Sequence, residues 1–273
     1  MTDTKDVASH FRFGENWAAF AASITEDNVA RAVDSLTRIL PRDLLAGREL
    51  LDIGSGSGLS AVAALRLGAR HVTAIDIDRD SVATSRAVLE RFAAPQTFTV
   101  SEASVFDLAA RNFATFDVVH SWGVLHHTGD LVGALTAAAQ HVRNEGTFAV
   151  ALYRRTPMDA FWVSEKRIYT AGSNSLQKGI RGVFKASYLA GLIATGRNPA
   201  RYLREYRTER GMNWSHDVHD WLGGYPYEAI EAAELEALLA AQGFQLEHAV
   251  ERPVQVFGLL GAPCNEYRFS RRG

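Results

Sequence analysis

The stretch Leu50-Leu51-Asp52-Ile53-Gly54-Ser55-Gly56-Ser57-Gly58 constrains this chain more than any other. An apolar run ends in an acid, opens into a glycine-rich turn, and leads directly into a helical pattern from Leu59 to Leu67. That is the strand–turn–helix unit of a nucleotide-binding α/β fold. Glycine allows the tight turn and lets a ligand approach the backbone without meeting a side chain. The glycines fall at 54, 56 and 58, whereas a dinucleotide fingerprint needs its third glycine at 59, which is Leu59. The Gly-Lys-Ser/Thr ending of a phosphate-binding loop is missing as well. The turn therefore suits a nucleoside-like ligand that lacks a pyrophosphate, although a glycine turn of this kind also serves purely structural ends.

The segments that follow repeat the same rhythm. Residues 49–53 read as a first strand, His71–Asp76 as a second, Thr97–Val100 as a third, Phe116–Ser121 as a fourth and Gly146–Tyr153 as a fifth. Helical patterns at 58–67, Arg79–Phe92 and 130–143 separate them. Strands alternating with amphipathic helices predict a parallel sheet covered on both faces, with the ligand at the carboxyl ends of the strands. Asp76 lies 24 residues after Asp52, at the tip of the second strand, where an acid is placed to accept both hydroxyls of a ribose. Upstream, residues 8–40 read as one helix with Phe11, Phe13, Trp17 and Phe20 near its start. That helix either packs its aromatic side on the core or forms a lid that brings Phe13, Asn16 and Trp17 to the ligand. Downstream, 231–242 reads as a helix, and Phe244–Val250, Val254–Leu259 and Asn265–Ser270 as strands, with a terminal antiparallel pair closing the sheet.

Between Tyr153 and the C-terminal segment lies a helical insertion, 154–228. Over 165–210 it carries ten Lys/Arg against three Asp/Glu, while the whole chain has a formal charge of −2. The basic residues read either as solvated helix faces or as a cap for an anionic acceptor. Residues 211–228 crowd Trp, Tyr, His and Asp into what reads as a Gly/Pro-broken loop, good material for a binding wall. His216, Asp217, His219 and Asp220 have metal-ligand chemistry. Hydrogen-bonded networks or a general base are the commoner use of such residues, and no metal is expected.

Composition excludes several classes. Hydrophobic content of 47% and charge of 22% are ordinary for a soluble domain, and the balance gives no global attraction to nucleic acid or anionic membrane. Cys264 is the single cysteine, which excludes an intramolecular disulfide and a cysteine-built zinc site. The polar N-terminus does not read as a signal peptide, and no apolar run approaches the ~20 residues of a membrane span. A cytoplasmic location and no membrane partner are expected.

Taken together, these pieces resemble the class I S-adenosylmethionine-dependent methyltransferases. The resemblance rests on Leu51–Gly58, Asp76, Glu102-Ala103-Ser104 and Phe116-Asp117-Val118-Val119-His120-Ser121-Trp122-Gly123-Val124-Leu125-His126-His127, and covers 49–153 continuously. Asn16-Trp17, Asp220–Glu228 and Asn265-Glu266-Tyr267 are more loosely similar to a bacterial small-molecule subgroup. The resemblance implies a Rossmann-like, doubly wound, mostly parallel seven-stranded α/β sheet with an N-terminal helical lid and a helical insertion after the fifth strand. The implied division is 1–48 lid, 49–153 cofactor core, 154–228 acceptor cap and 229–273 closing helix and strands. The implied cofactor is S-adenosylmethionine, with S-adenosylhomocysteine as product. It would be held by Asp52, Gly54, Ser55, Gly56 and Gly58, by Asp76 and the neighbouring Ile77, by Ala103 or Ser104 at the adenine, and by Ser121, Trp122 and Gly123 at the methionine end. Many relatives place Asp where Ala103 or Ser104 stands, so adenine recognition would run through backbone, Ser104 or Glu102.

An oxygen or nitrogen of a small molecule is the expected acceptor, and the charge of the insertion tilts this towards an anionic one. Its general base would come from His126 or His127, with the other as a structural hydrogen-bonder, or from His216, Asp217 and Asp220; Glu228 is a further candidate. DNA amino-methylation would need a Pro-Pro-Tyr/Phe motif after the fourth strand, and cytosine-carbon methylation a cysteine near it; neither is present. No DNA partner is expected, and RNA or protein methylation stands as the alternative, as does a non-catalytic cofactor-binding subunit. A nicotinamide oxidoreductase is disfavoured by the glycine spacing.

Overall fold

The computed structural model describes Phe11, Trp17, Ala21, 23–210, 214–254 and 256–273, with the side chains of Glu205, 207–210 and His216 outside that description. Phe13 and Asn16 of the expected lid lie outside it too. Seven strands form one sheet: β1 (Glu49–Ile53), β2 (His71–Asp76), β3 (Phe98–Glu102), β4 (Phe116–Trp122), β5 (Val142–Tyr153), β6 (Phe244–Val250) and β7 (Cys264–Arg271). Their order is β3-β2-β1-β4-β5-β7-β6, with β7 antiparallel to both of its neighbours and the other pairs parallel. The strand order reverses between β1 and β4, so a crevice opens at their carboxyl ends.

Strand alternation decides which side chain meets which layer. Leu50, Val72, Ala74 and Val118 pack with α1 (Glu26–Thr37), α3 (Leu59–Arg66) and α4 (Arg79–Phe92) on one face. Leu51, Ile53, Ile75 and Val119 pack on the other with α5 (Leu131–Gln140) and α10 (Ala232–Ala240). The short α2 (Arg42–Leu45) follows Pro41, whose fixed φ suits a helix start. Helix starts at the ligand-facing end of the sheet are tied down by acids: Asp78 accepts from Asp80 and Ser81 at α4, and Asp130 from Gly133 at α5.

Three expectations need correction. The helix read over 8–40 is interrupted: Thr25 is extended at φ −121°, and its N–H donates to Asn28 Oδ1 at 2.9 Å as α1 begins. The described residues of 254–259 are not a strand. Because β7 already lies between β5 and β6, no ladder is left for them there; they form a turn with Val256 and Phe257 at positive φ, whose Gly258 carbonyl accepts from Trp162 Nε1 at 2.7 Å. Finally, most of 211–228 is not a loop. The insertion comprises α6 (Asp159–Ala171), α7 (Asn174–Ala194), α8 (Pro199–Arg210) and α9 (Trp214–Gly223). Val218 and Leu222, four residues apart, bury one stripe of α9 against Trp162 and Tyr169 of α6, a period hidden by polar neighbours. None of the described helices is long and apolar enough to cross a membrane.

Candidate functional site

The glycine turn behaves as its spacing predicts. Gly54, Gly56 and Gly58 all have positive φ (75°, 51° and 77°), a region open to glycine at little cost. The turn is anchored where the N–H groups of Gly54 and Ser55 donate to the Ile75 carbonyl at 2.8 and 3.0 Å. A Cβ on Gly54 would fall 2.4 Å from Val124, and one on Gly56 3.1 Å from the Trp17 ring. Gly58 instead abuts the Ser85 backbone of α4 and does not line the cavity that opens beyond the turn. Its role is packing.

That cavity measures about 1500 Å³ and lies at the carboxyl ends of the strands. Asp76 lines it, with its carboxylate accepting from Gly56 N–H at 2.9 Å and Asp78 N–H at 3.0 Å. Burial nevertheless outweighs these two bonds and pushes its pKa up to about 6. Next to it, Asp52 and His120 stand opposite each other in the β1–β4 register. His120 Nδ1 donates to Asp52 Oδ1 at 2.8 Å, both side chains being almost fully buried. Asp52 Oδ2 is buried with no partner in the protein. His120 was not singled out from the sequence, yet the signal was there: Val118-x-His120 puts it on the face that Leu50-x-Asp52 shares. Replacing His120 with alanine is expected to cost about 3–5 kcal/mol of stability, because it strands a buried carboxylate. Urea unfolding measures this, and a loss under about 1 kcal/mol would mean that the pair contributes little.

The same alternation places the side chain of Ser121, whose expected contact is through its backbone. It points to the opposite face, fully buried, with its hydroxyl on the Ile53 carbonyl at 3.0 Å, and it does not line the cavity. Trp122 and Gly123 do line it, as do Ser55, Ser57, Ile77, Ala103, Ser104 and Trp17. The Ser104 hydroxyl accepts from Phe106 N–H at 3.3 Å, and Glu102 pairs with Arg79 at 3.0 Å. Phe106, absent from the sequence reading, joins Ile77 and Trp122 in the wall. Their exposures of 39%, 40% and 48% leave apolar surface open to a flat ligand.

At the other end the two adjacent histidines separate. His126 is fully buried outside the cavity lining, stacked on Tyr153 with ring centroids 3.9 Å apart, and its Nδ1 accepts from Tyr153 N–H at 3.3 Å. Burial, with His127 and Lys166 nearby, holds its pKa well below the usual imidazole range, so it stays neutral and structural. His127 lines the cavity, and its Nδ1 donates to the Pro226 carbonyl at 2.6 Å. In the neutral ring that bond leaves Nε2 as the basic nitrogen. Asp217 and Asp220, one turn apart on α9, line the cavity with Tyr153, Tyr188, Trp221 and Tyr225. Tyr206 donates to Asp217 Oδ2 at 2.5 Å. The His216 side chain lies outside the described residues. Glu228 is drawn off as a cap, accepting from Leu131 N–H at 2.9 Å. His219 is likewise engaged, with Tyr169 at 2.6 Å and Arg181 at 2.8 Å.

The described cations of the insertion turn away from this cavity, although Tyr188, Asp217, Asp220 and Trp221 of the same insertion line it. No described Lys or Arg of 165–210 lines it; the lining cations are Arg31 of α1, Arg38 just past its end, Arg79 and Arg252. Lys166 is buried with its amine on the Trp221 carbonyl and 3.8 Å from that ring's centroid, and burial lowers its pKa well below the usual ammonium range. Among the described residues no group of three or more His, Cys, Asp or Glu is placed to hold a metal ion.

The sequence profile of a family described as "Methyltransferase domain" matches residues 24–249. Over 122 residues the chain is 34% identical to the ubiquinone biosynthesis O-methyltransferase of Xanthomonas campestris pv. campestris, covering 45% of this chain and 50% of the relative. Over 170 residues it is 33% identical to the protein of the same name from Methylocella silvestris, covering 56% and 65%. The chain thus spans about half to two thirds of these relatives' length. Among solved structures, the magnesium protoporphyrin IX methyltransferase of Synechocystis PCC 6803 with bound SAH superimposes with a TM-score of 0.53 at 16% identity, over 88% of this chain and 81% of that one, a likeness of fold alone.

Proposed function

Because the chain belongs to the methyltransferase-domain family, we propose that it transfers a methyl group from S-adenosylmethionine to a hydroxyl of a small molecule, with S-adenosylhomocysteine as product. The observation that carries this reading is a single cavity lined both by the glycine turn with Asp76 and by His127. The cofactor fits the groups that line one end. Asp76 accepts the ribose hydroxyls. Asp52 Oδ2, buried without a partner, suits an ammonium or hydroxyl donor. Gly54, Ser55 and Gly56 let the amino-acid part pass along the backbone, with Trp122 and Gly123 lining its end beside the backbone of Ser121. Ile77, Ala103, Ser104 and Phe106 border the adenine, and Trp17 covers the turn as part of a lid. Helices α6–α9 act as the acceptor cap.

When bound, the sulfonium supplies a methyl group already activated for displacement, so the protein's share is alignment and proton removal. Displacement of that methyl group by an acceptor oxygen would leave the electron pair of the broken sulfur–carbon bond on sulfur. His127 Nε2 takes the hydroxyl proton. Asp217, Asp220 and the surrounding aromatic rings orient the acceptor. The two relatives described above are O-methyltransferases by name, which agrees with an oxygen acceptor. An anionic acceptor loses its first support, because the basic side chains of the insertion do not line the cavity; Arg31, Arg38 and Arg252 are the cations left to meet one. Calorimetric titration with S-adenosylhomocysteine, beside NADH, tests the proposal. Saturable binding of the first alone is expected, and no binding of S-adenosylhomocysteine would overturn it.

A further inference from the structure

Strand alternation divides the triplet Asn265-Glu266-Tyr267 of β7 between the two faces of the sheet. Asn265 and Tyr267 turn to one face, where the Asn265 amide donates to the Tyr267 hydroxyl at 3.0 Å. Glu266 turns to the other, the face of Asp52 and His120, and lines the cavity. A carboxylate there is costly: Glu266 is only 2% exposed, and an ionised group loses its hydration on burial. Its one partner among the described residues is Arg252, whose Nη2 stands 3.5 Å from Oε1. A closed carboxylate–guanidinium bond is about 2.7–2.9 Å long, so this pair is held apart. Oε2 accepts from no described group. Arg252 is fixed from its backbone, where its N–H donates to Asn265 Oδ1 at 2.9 Å, and its side chain, 42% exposed, also lines the cavity.

Strand register locates this pair. Trp122, Ala151 and Glu266 form one row across β4, β5 and β7, which puts Trp122 and Glu266 about 10 Å apart with only a methyl side chain between them. One step along the strands Tyr153 is paired with Cys264, so Glu266 is its diagonal neighbour at about 7–8 Å. The Tyr153 ring meets His127 edge-on, with centroids 5.5 Å apart. Glu266 and Arg252 therefore lie within the length of a small molecule from His127.

We propose that Glu266 and Arg252 recognise the methyl acceptor, and that the part they hold is an uncharged pair of adjacent hydroxyls. This rests on the methyl-transfer reading and names its substrate class. A hydroxyl both donates and accepts. One hydroxyl donates to Glu266 Oε2 and its neighbour accepts from Arg252, which closes the gap between the two side chains. Neither kind of ion fits as well. An ammonium would meet the Arg252 cation, and a carboxylate or phosphate would meet the Glu266 anion, in a wall where little water screens the repulsion. Arg252 carries its own counter-charge and leaves no surplus for an anionic acceptor. Adjacent hydroxyls occur on sugar-like rings and on aromatic rings, and the pair serves both.

Saturation-transfer NMR on the full chain saturated with S-adenosylhomocysteine tests the proposal. One arm compares methyl glucopyranoside with glucuronate and glucosamine; the other compares catechol with benzoate and benzylamine. In at least one arm the neutral diol is expected to bind about tenfold more tightly than either charged probe. Glu266→Gln should weaken that diol about fivefold and strengthen the carboxylate probe of the same arm, because Arg252 then loses its counter-charge. A purely structural ion pair would not move the two probes in opposite directions. Thermal unfolding and S-adenosylhomocysteine affinity should be unchanged in this variant. If Glu266→Gln fails to fold, Arg252→Gln reads the same site, and should weaken the diol without strengthening the carboxylate. No diol binding in either arm, a charged probe that binds as well as the diol, or unchanged diol affinity in the variants would overturn the proposal. Titration with S-adenosylhomocysteine alone keeps this result apart from the methyl-transfer reading, which fails if that compound does not bind.

Discussion

Replacing Asp76 with alanine is expected to weaken S-adenosylhomocysteine binding about 100-fold while the protein stays folded. Two hydrogen bonds from ribose hydroxyls to a carboxylate contribute about 1.5–3 kcal/mol each, and part of that is already spent in burying the acid. The fold should tolerate the change for the same reason. Asp76 has its pKa raised from 3.8 to about 6 by burial, so the folded state holds the proton more tightly than the unfolded chain. The stability linked to that proton is fully present below about 3.8 and is lost as the pH rises through about 6. At neutral pH the ionised acid is thus a burden on the empty protein, and alanine removes it. Ligand binding runs with the opposite sign, because the ribose hydroxyls need the ionised form as acceptor. Affinity should therefore be flat above pH 7 and fall by up to about tenfold per unit below about 6, a dependence absent from Asp76→Ala. Calorimetry across pH, paired with thermal unfolding, checks both halves; equal affinity for the two proteins would remove Asp76 from the site.

His127→Ala is expected to lower kcat by about 10²–10⁴ with cofactor affinity within about threefold of the parent. The argument is one of tautomer. The Pro226 carbonyl accepts the Nδ1 proton at 2.6 Å, so in the neutral ring Nε2 is the nitrogen left to receive a proton from the acceptor. His126 cannot substitute, since it is fully buried and its Nδ1 is held by the Tyr153 N–H. The control is therefore His126→Phe, which should affect stability more than kcat. Single-turnover measurement with saturating cofactor separates the step from binding. An unchanged single-turnover rate in His127→Ala would exclude the histidine as base and leave Asp217 and Asp220, which also line the cavity.

Much of the site was legible in one dimension because the chemistry that binds a nucleoside is local. A strand, a turn of glycines and an acid at the next strand's tip lie within 27 residues, from Leu50 to Asp76. What was misread depended on partners far along the chain. Helix α9 looked like a loop because its apolar stripe is Val218 and Leu222 amid polar residues, and it is stabilised by Trp162 and Tyr169 about fifty residues earlier. Glu228 looked like a free acid and is spent on the N-terminus of α5, 97 residues away. The positive charge of the insertion reads equally as solvated helix faces or as a cap for an anionic acceptor, because composition carries no direction.

The class of fold and the glycine turn with its strand-tip acid are legible in one dimension, since periodicity and glycine spacing are properties of neighbouring residues. Only the tertiary structure decided which side of each strand faces the ligand: it joined His120 to Asp52, sent Ser121 into the opposite core, and parted His127 from His126. The physical reason is that these outcomes follow from strand register and long-range burial, which bring together groups as far apart as 68 residues at Asp52 and His120 and 99 at His127 and Pro226.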